Sequence, residues 1–166
     1  MEPRIEVLKT KLLAGHKLRM SFAENRTAEL WRGFMPLRRN IRNIAGHDLF
    51  SVEVYNDVDF FKSFDPNRQF DKWAAVEVTG SDDLPEDMEL LILPEGFYAV
   101  FIHKGPASEG PKTYAYIFRT WLPGSEYALD NRPHFALMGN KYKHNDPSSE
   151  EEIWIPVKLK STEKSH

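Results

Sequence analysis

Glu152 and Trp154 stand two residues apart in the run Glu150-Glu151-Glu152-Ile153-Trp154-Ile155-Pro156-Val157-Lys158. Two is the repeat of a β-strand, so the acid and the indole share a face. A carboxylate beside an aromatic ring suits an organic cation, because the acid supplies charge and the ring supplies an electron-rich face. If burial draws Glu152 out of water, its pKa rises and it can bind a cation or relay a proton to water. If not, it is one more solvated acid of the triplet. Trp73 has a similar setting in Trp73-Ala74-Ala75-Val76-Glu77-Val78. The 11 Phe, 6 Tyr and 4 Trp make 13% of the 166 residues aromatic. That is enough for an aromatic core and equally for walls around a flat apolar ligand.

Other chemistries lack their residues. There is no cysteine, which removes disulfides, thiolate nucleophiles, cysteine-ligated zinc and iron–sulfur clusters. The six histidines show no metal-ligand spacing, and there is no nucleophile elbow, zinc motif or phosphate-binding glycine loop. Lys104-Gly105-Pro106 reads as a turn. No metal and no cofactor is expected. A net charge of −3 argues against direct nucleic-acid binding, which needs a basic stripe. The basic run Arg38-Arg39-Asn40-Ile41-Arg42 falls at a predicted helix end, where it complements the dipole. No apolar run approaches the roughly 20 residues that span a bilayer, so the chain is read as cytoplasmic and away from membranes.

The elements that must position the acid and the rings repeat. A strand over 15–22 leads to a helix over 27–44, then strands over 49–55 and 72–79. A strand over 96–103 leads to a helix over 110–122, then strands over 135–142 and 151–158. The order β-α-β-β occurs twice, offset by roughly 80 residues. The fold expected is one α+β domain over 1–166, with repeats at about 5–80 and 90–160 and a frayed tail at 161–166. Antiparallel sheets carry helices on one face and leave an aromatic groove on the other.

Helical periodicity supports this. Leu30, Phe34, Leu37, Ile41 and Ile44 form one stripe, and Tyr114, Ile117, Phe118 and Trp121 another. Thr27 is placed to cap the first helix. Pro36 predicts a kink or a later start in that helix. Pro111 suits a first turn, and Pro123-Gly124 ends the second helix.

Strand alternation assigns faces. Ile153, Ile155 and Val157 face the helices, as do Ala74, Val76 and Val78. Trp154, Glu152, Trp73 and Glu77 then lie opposite. The same logic puts Phe50, Val52 and Val54, with Phe135 and Leu137, under the helices, and leaves Glu53, Tyr55, Ala136, Met138 and Tyr142 opposite. The strand 96–103 is apolar on both faces, with Phe101 and His103 sharing one. Aligning Trp73 with Trp154 places the indoles on either side of a pseudo-twofold axis. The ligand-binding residues expected are Trp73, Trp154, Glu152, Tyr55, Tyr142, Phe101 and Met138, and the candidate catalytic residue is Glu152.

The residues also resemble a known family. The segment Trp121-Leu122-Pro123-Gly124-Ser125-Glu126-Tyr127, then Arg132-Pro133-His134-Phe135, Tyr142-Lys143, Asn145-Asp146-Pro147 and the strand from Glu150 to Lys158 are similar to the GyrI-like small-molecule-binding domains. Glu29-Leu30-Trp31 and Phe34-Met35-Pro36-Leu37-Arg38-Arg39 add the look of stand-alone, effector-binding-type members. The resemblance implies a tandem β-α-β-β fold with an aromatic groove and a buried acid in the last strand, at Glu152. Many members carry Glu after the phenylalanine equivalent to Phe135, where this chain has Ala136.

Members serve as effector domains of multidrug-responsive regulators, as gyrase modulators, and in some cases as hydrolases of cyclopropane-bearing alkylating toxins. The first expectation is a module that senses or sequesters a hydrophobic, cationic or planar small molecule. The alternatives are a hydrolase using Glu152, and a protein that modulates DNA gyrase or a regulator. Monomer and homodimer both stay open.

Overall fold

The computed structural model describes residues 1–161, so the tail at 162–166 lies outside the described residues. Among the described residues nine strands and two main helices follow one another as β1 (Arg4–Leu8), β2 (Lys11–Ser21), α1 (Thr27–Phe34), β3 (Ile44–Val54), β4 (Gln69–Val78), β5 (Glu89–Leu93), β6 (Gly96–Lys104), α2 (Gly110–Tyr116), β7 (Tyr127–Leu129), β8 (His134–Met138) and β9 (Glu150–Leu159). All pairings are antiparallel, in the order β1-β6-β9-β8-β3-β4-β2-β5, with β7 added on β9. Among the described residues no helix is long and apolar enough to cross a membrane.

β1 and β5 are additions to the expected β-α-β-β units, and they explain the curl of the sheet. Leu8 pairs with Gly96 and Lys11 with Leu93 in one continuing register. The stretches 4–15 and 89–100 therefore form one long antiparallel ribbon, broken only around Lys9-Thr10 and Pro94-Glu95, where Pro94 has no N–H to give. The ribbon links the two ends of the strand path and holds the sheet as a curled half-barrel.

The helices are shorter than their apolar stripes. α1 ends at Phe34, and the chain tightens into a 3-10 turn over Met35–Asn40 with Pro36 in its first turn. Proline ends the α hydrogen-bonding pattern, as its position predicts. Ile41 and Ile44 stay apolar for packing, but Ile44 already opens β3. α2 passes into a π turn over Ile117–Trp121 and closes at Leu122–Gly124. Ser125 caps that end, its hydroxyl donating to the Leu122 carbonyl at 2.9 Å.

The registers define the pseudo-twofold residue by residue. Arg4 pairs with Val100 and Gly15 with Glu89; adding 85 to Arg4 gives Glu89, and adding 85 to Gly15 gives Val100. The same shift carries Ser51 to its own partner Ala136, so the axis passes between β3 and β8. Gly15 pairs with Ala75 and Val100 with Trp154; Lys17 pairs with Trp73 and Ile102 with Glu152. Trp154 is thus the counterpart of Ala75, and Trp73 the counterpart of Glu152. The alignment of Trp73 with Trp154 slips by two residues. An even slip keeps the face, and so the echo in sequence conceals it.

Among the described residues three apolar clusters form the core. Ala14, Phe34, Phe60, Ala74 and Val76 pack under α1, and Ala99, Phe101, Ile117, Ile153 and Ile155 pack under α2. The inner face of the curl holds Leu13, Phe50, Val52, Trp73, Tyr98, Val100, Phe135 and Trp154. This reverses the expectation for two strands: Phe50, Val52, Val54, Phe135 and Leu137 face the inner side, not the helices. Both faces of β3 and β8 are covered, so apolar alternation alone cannot name the face. Pairing decides it, since Val52 lies opposite Trp73 and Phe135 opposite Trp154. Ser51, Glu53, Tyr55, Ala136 and Met138 consequently lie on the helix side.

Candidate functional site

Glu53 occupies the middle of that helix side, near the axis, with Lys72 of β4 and His134 of β8 as its two cross-strand neighbours. The Lys72 ammonium donates to its carboxylate at 2.6 Å, and the two side chains are 16% and 7% exposed. Burial raises the Glu53 pKa, and Lys72 opposes the rise through charge and hydrogen bond. A buried pair of this kind adds little net stability over an apolar pair of the same volume. Its burial beneath the helices points to a job other than holding the fold. Burial, with the nearby Arg132 charge, pushes His134 down to about 3, so its imidazole is neutral and offers one N–H.

The second repeat supplies another acid. Leu18 pairs with Lys72 and its counterpart His103 pairs with Glu151, so Glu151 stands where the first repeat has Lys72. Glu151 is half-buried, and desolvation raises its pKa; His103 and Lys72 pull it down, and Glu53 pushes it up. Tyr114 of α2 senses both acids: burial first, then Glu53 and Glu151, hold its hydroxyl well above the usual range. Tyr55 is held up by burial, Glu53 and Tyr114. Tyr142 is raised by burial and by Glu151.

Four polar groups around this centre have no protein partner among the described residues. Among the described residues the Tyr55 and Tyr114 hydroxyls, the His134 ring nitrogens and the Glu151 carboxylate have no hydrogen-bond partner. None of these atoms is fully sealed from solvent. Polar groups half-withdrawn from water and unpaired cost free energy unless something else meets them. His103, by contrast, is committed: Nδ1 lies 2.8 Å from the Thr113 hydroxyl and Nε2 3.0 Å from the Pro106 carbonyl.

An aromatic flap covers the centre. The β3–β4 connection carries Phe60, which is fully buried, and Phe61, which stacks on Phe118 at 4.2 Å and 13°. Tyr55 packs edge-on against His134 at 4.8 Å, and Phe118 lies 6.1 Å from the same ring. The flap is anchored at its base, where the Arg68 guanidinium donates to Asp57 at 2.6 Å and lies 4.9 Å from the Phe60 ring centre.

The predicted site residues divide between two faces. Tyr55, Met138 and Tyr142 lie around the Glu53–Glu151 centre. Trp73 and Trp154 lie on the inner face, 5% and 8% exposed, with Trp154 stacked on Phe135 at 5.1 Å. Their rings are packed core because the curl folds that face onto itself. Glu152 accepts from the Trp154 indole at 2.9 Å and from Arg4 at 3.0 Å. Arg4 lies 5.9 Å from the Trp154 ring centre, and Lys17 lies 5.8 Å from that of Trp73. Phe101 is fully buried under α2 against Trp121, which removes it from any groove. The residues sequence reading missed are Glu53, Lys72, His134, Glu151 and Tyr114. Their only signal was the charge of Glu53 within the apolar run from Leu49 to Val54.

The sequence model of the GyrI-like small molecule binding domain matches residues 1–158. No curated protein matches the chain. Among solved structures, SAV2435 bound to tetraphenylphosphonium is similar at a TM-score of 0.72 and 17% identity, covering 95% of this chain and 94% of that one. The EcmrR C-terminal domain gives 0.69 and 15%, covering 95% and 98%. A hydrolase from Listeria innocua gives 0.56 and 12%, covering 95% and 92%. At these identities the likeness is one of fold.

Proposed function

The chain belongs to the GyrI-like small molecule binding domain family, and from that membership we propose that it binds a hydrophobic organic cation at the Glu53–Glu151 centre. One observation carries the reading: Glu151 is a half-buried carboxylate with no hydrogen-bond donor among the described residues. With Glu53 neutralised by Lys72 and His134 uncharged, the centre holds one negative charge in excess. Tyr55, Tyr114, Met138 and the flap phenylalanines supply aromatic and polarisable walls. The fold-related SAV2435 was solved with such a cation.

Glu152 is less suited to the part, because Arg4 and Trp154 already occupy its two oxygens. The same commitment weakens the hydrolase reading that assigned it proton transfer. A gyrase or regulator partner and a cytoplasmic setting rest on resemblance and composition, and ligand binding takes precedence over them here.

Calorimetric titration with tetraphenylphosphonium, with triphenylphosphine oxide as neutral control, tests the reading. The wild type binds the cation; Glu151→Gln weakens it at least about tenfold, or 1.4 kcal/mol, and Glu152→Gln leaves it unchanged. Absence of binding by the wild type, or a loss in Glu152→Gln equal to that in Glu151→Gln, rejects it.

A further inference from the structure

We infer, building on the cation site just described, that the ligand carries a neutral hydrogen-bond acceptor, such as a ketone, ester or amide carbonyl, on the side away from its positive charge. The basis is the broken symmetry of the centre. The pseudo-twofold relates Lys72 to Glu151 and, by the same 85-residue shift, Glu53 to Met138. The second-repeat side therefore presents a bare carboxylate beside a thioether, and the first-repeat side presents donors.

Those donors are unspent. The Tyr55 hydroxyl and the His134 ring nitrogens have no partner among the described residues. The Lys72 ammonium has three N–H groups and shows one carboxylate contact, to Glu53. Aromatic contacts hold the groups together: Tyr55 and His134 are 4.8 Å apart between ring centres, and His134 is directly across from Glu53. A ligand spanning the axis with its cation at Glu151 would bring its far end against these donors. A symmetric, purely hydrocarbon cation would desolvate them and leave them unpaired, which costs affinity.

The sign of the acceptor follows from Glu53. A carboxylate on the ligand would meet the Lys72 ammonium but lie beside the Glu53 carboxylate, which already claims that ammonium at 2.6 Å. Two carboxylates sharing one buried cation repel. A carbonyl oxygen accepts from Tyr55, His134 or Lys72 without adding charge. The excess of one negative charge at the centre then matches a monocation.

Three near-isosteric phosphonium cations separate the possibilities: 4-isopropylphenyl-, 4-acetylphenyl- and 4-carboxyphenyl-triphenylphosphonium. Titration of the full chain should rank acetyl tightest, about tenfold over isopropyl, with the carboxylate weakest. Tyr55→Phe, which removes one hydroxyl and keeps the ring, should shrink the ratio of acetyl to isopropyl affinity several-fold. Lys72→Met should also shrink it, with thermal melting as the check on folding. Acetyl binding no tighter than isopropyl, or an acetyl advantage untouched in both Tyr55→Phe and folded Lys72→Met, overturns the inference and leaves the cation site standing. Carboxylate binding as tight as acetyl overturns the argument from Glu53. If none of the three binds the wild type, the cation site and this inference fall together.

Discussion

Lys72 and Glu151 occupy equivalent positions of the two repeats and carry opposite charges across the pseudo-twofold axis. Duplication thus builds a symmetric frame, and two substitutions in it make a polar centre. The first repeat spends its cation on its own Glu53. The second has Met138 where Glu53 would be, and Glu151 makes no ion pair among the described residues. In the proposed complex a foreign cation would fill the role that Lys72 plays on the other side.

Glu151→Gln should therefore trade binding for stability. The wild-type carboxylate is half-buried and lacks a donor among the described residues, and burial gives the largest push on its pKa. A neutral amide of the same shape removes that desolvation cost, worth on the order of 1 kcal/mol, or roughly 2–4 °C in a domain of this size. Calorimetric melting should show the variant more stable while its phosphonium affinity drops. A variant that melts lower would mean that Glu151 has an internal partner.

The same group predicts opposite pH trends for affinity and stability. Its folded pKa lies above the ordinary 4.5, so the unfolded chain gives up that proton first. Stability from this group is full below 4.5 and is lost as pH rises through the folded value. Cation affinity, which needs the carboxylate, rises over the same interval. Glu53, His103 and Lys72 face Glu151 and set its position on the pH scale. Subtracting Glu151→Gln from wild type isolates the effect from other acids. Curves of affinity and melting temperature that move together in that difference would contradict it.

On the inner face, truncation should act on the fold and spare the ligand. Trp154→Ala removes a ring stacked on Phe135 and packed edge-on against Tyr98, and a cavity of that kind costs about 3–5 kcal/mol. Glu152→Gln touches a partly exposed pair and should cost no more than about 1 kcal/mol. Denaturant unfolding measures both. Trp154→Phe, a smaller change that keeps an aromatic ring, should bind phosphonium like the wild type.

Much of the frame could be read from the chain, and the site could not. The period-two runs in β4 and β9 and the helical stripes through Phe34 and Ile117 place the repeats, because one covered face imposes a regular apolar pattern. β3 and β8 are covered on both sides, so Val52 and Phe135 carry no information about which side they face. The indole echo drew the eye to Trp73 and Trp154, whose match slips by two along β9. Glu53 and Lys72 lie 19 apart in sequence and meet only through the β3–β4 register. Glu151 sits in a triplet of acids in which strand alternation alone makes it differ from Glu150 and Glu152.

Phe61 should govern the rate of entry more than the strength of binding. It belongs to the β3–β4 flap and stacks on Phe118 of the other repeat, closing the centre over His134. The flap's inner anchor is Phe60, fully buried, and its base is the Arg68–Asp57 ion pair, so removing the Phe61 ring leaves both in place. An offset aromatic pair contributes about 0.5–1.5 kcal/mol, a small part of the fold but a direct part of any barrier to lifting the flap. Phe61→Ala should therefore raise association and dissociation rates of phosphonium together, several-fold each, with affinity altered less than either. Stopped-flow mixing with a fluorescent lipophilic cation reads the two rates. If the association rate is unchanged while affinity falls, Phe61 is a wall of the site; if both rates rise, it is the door.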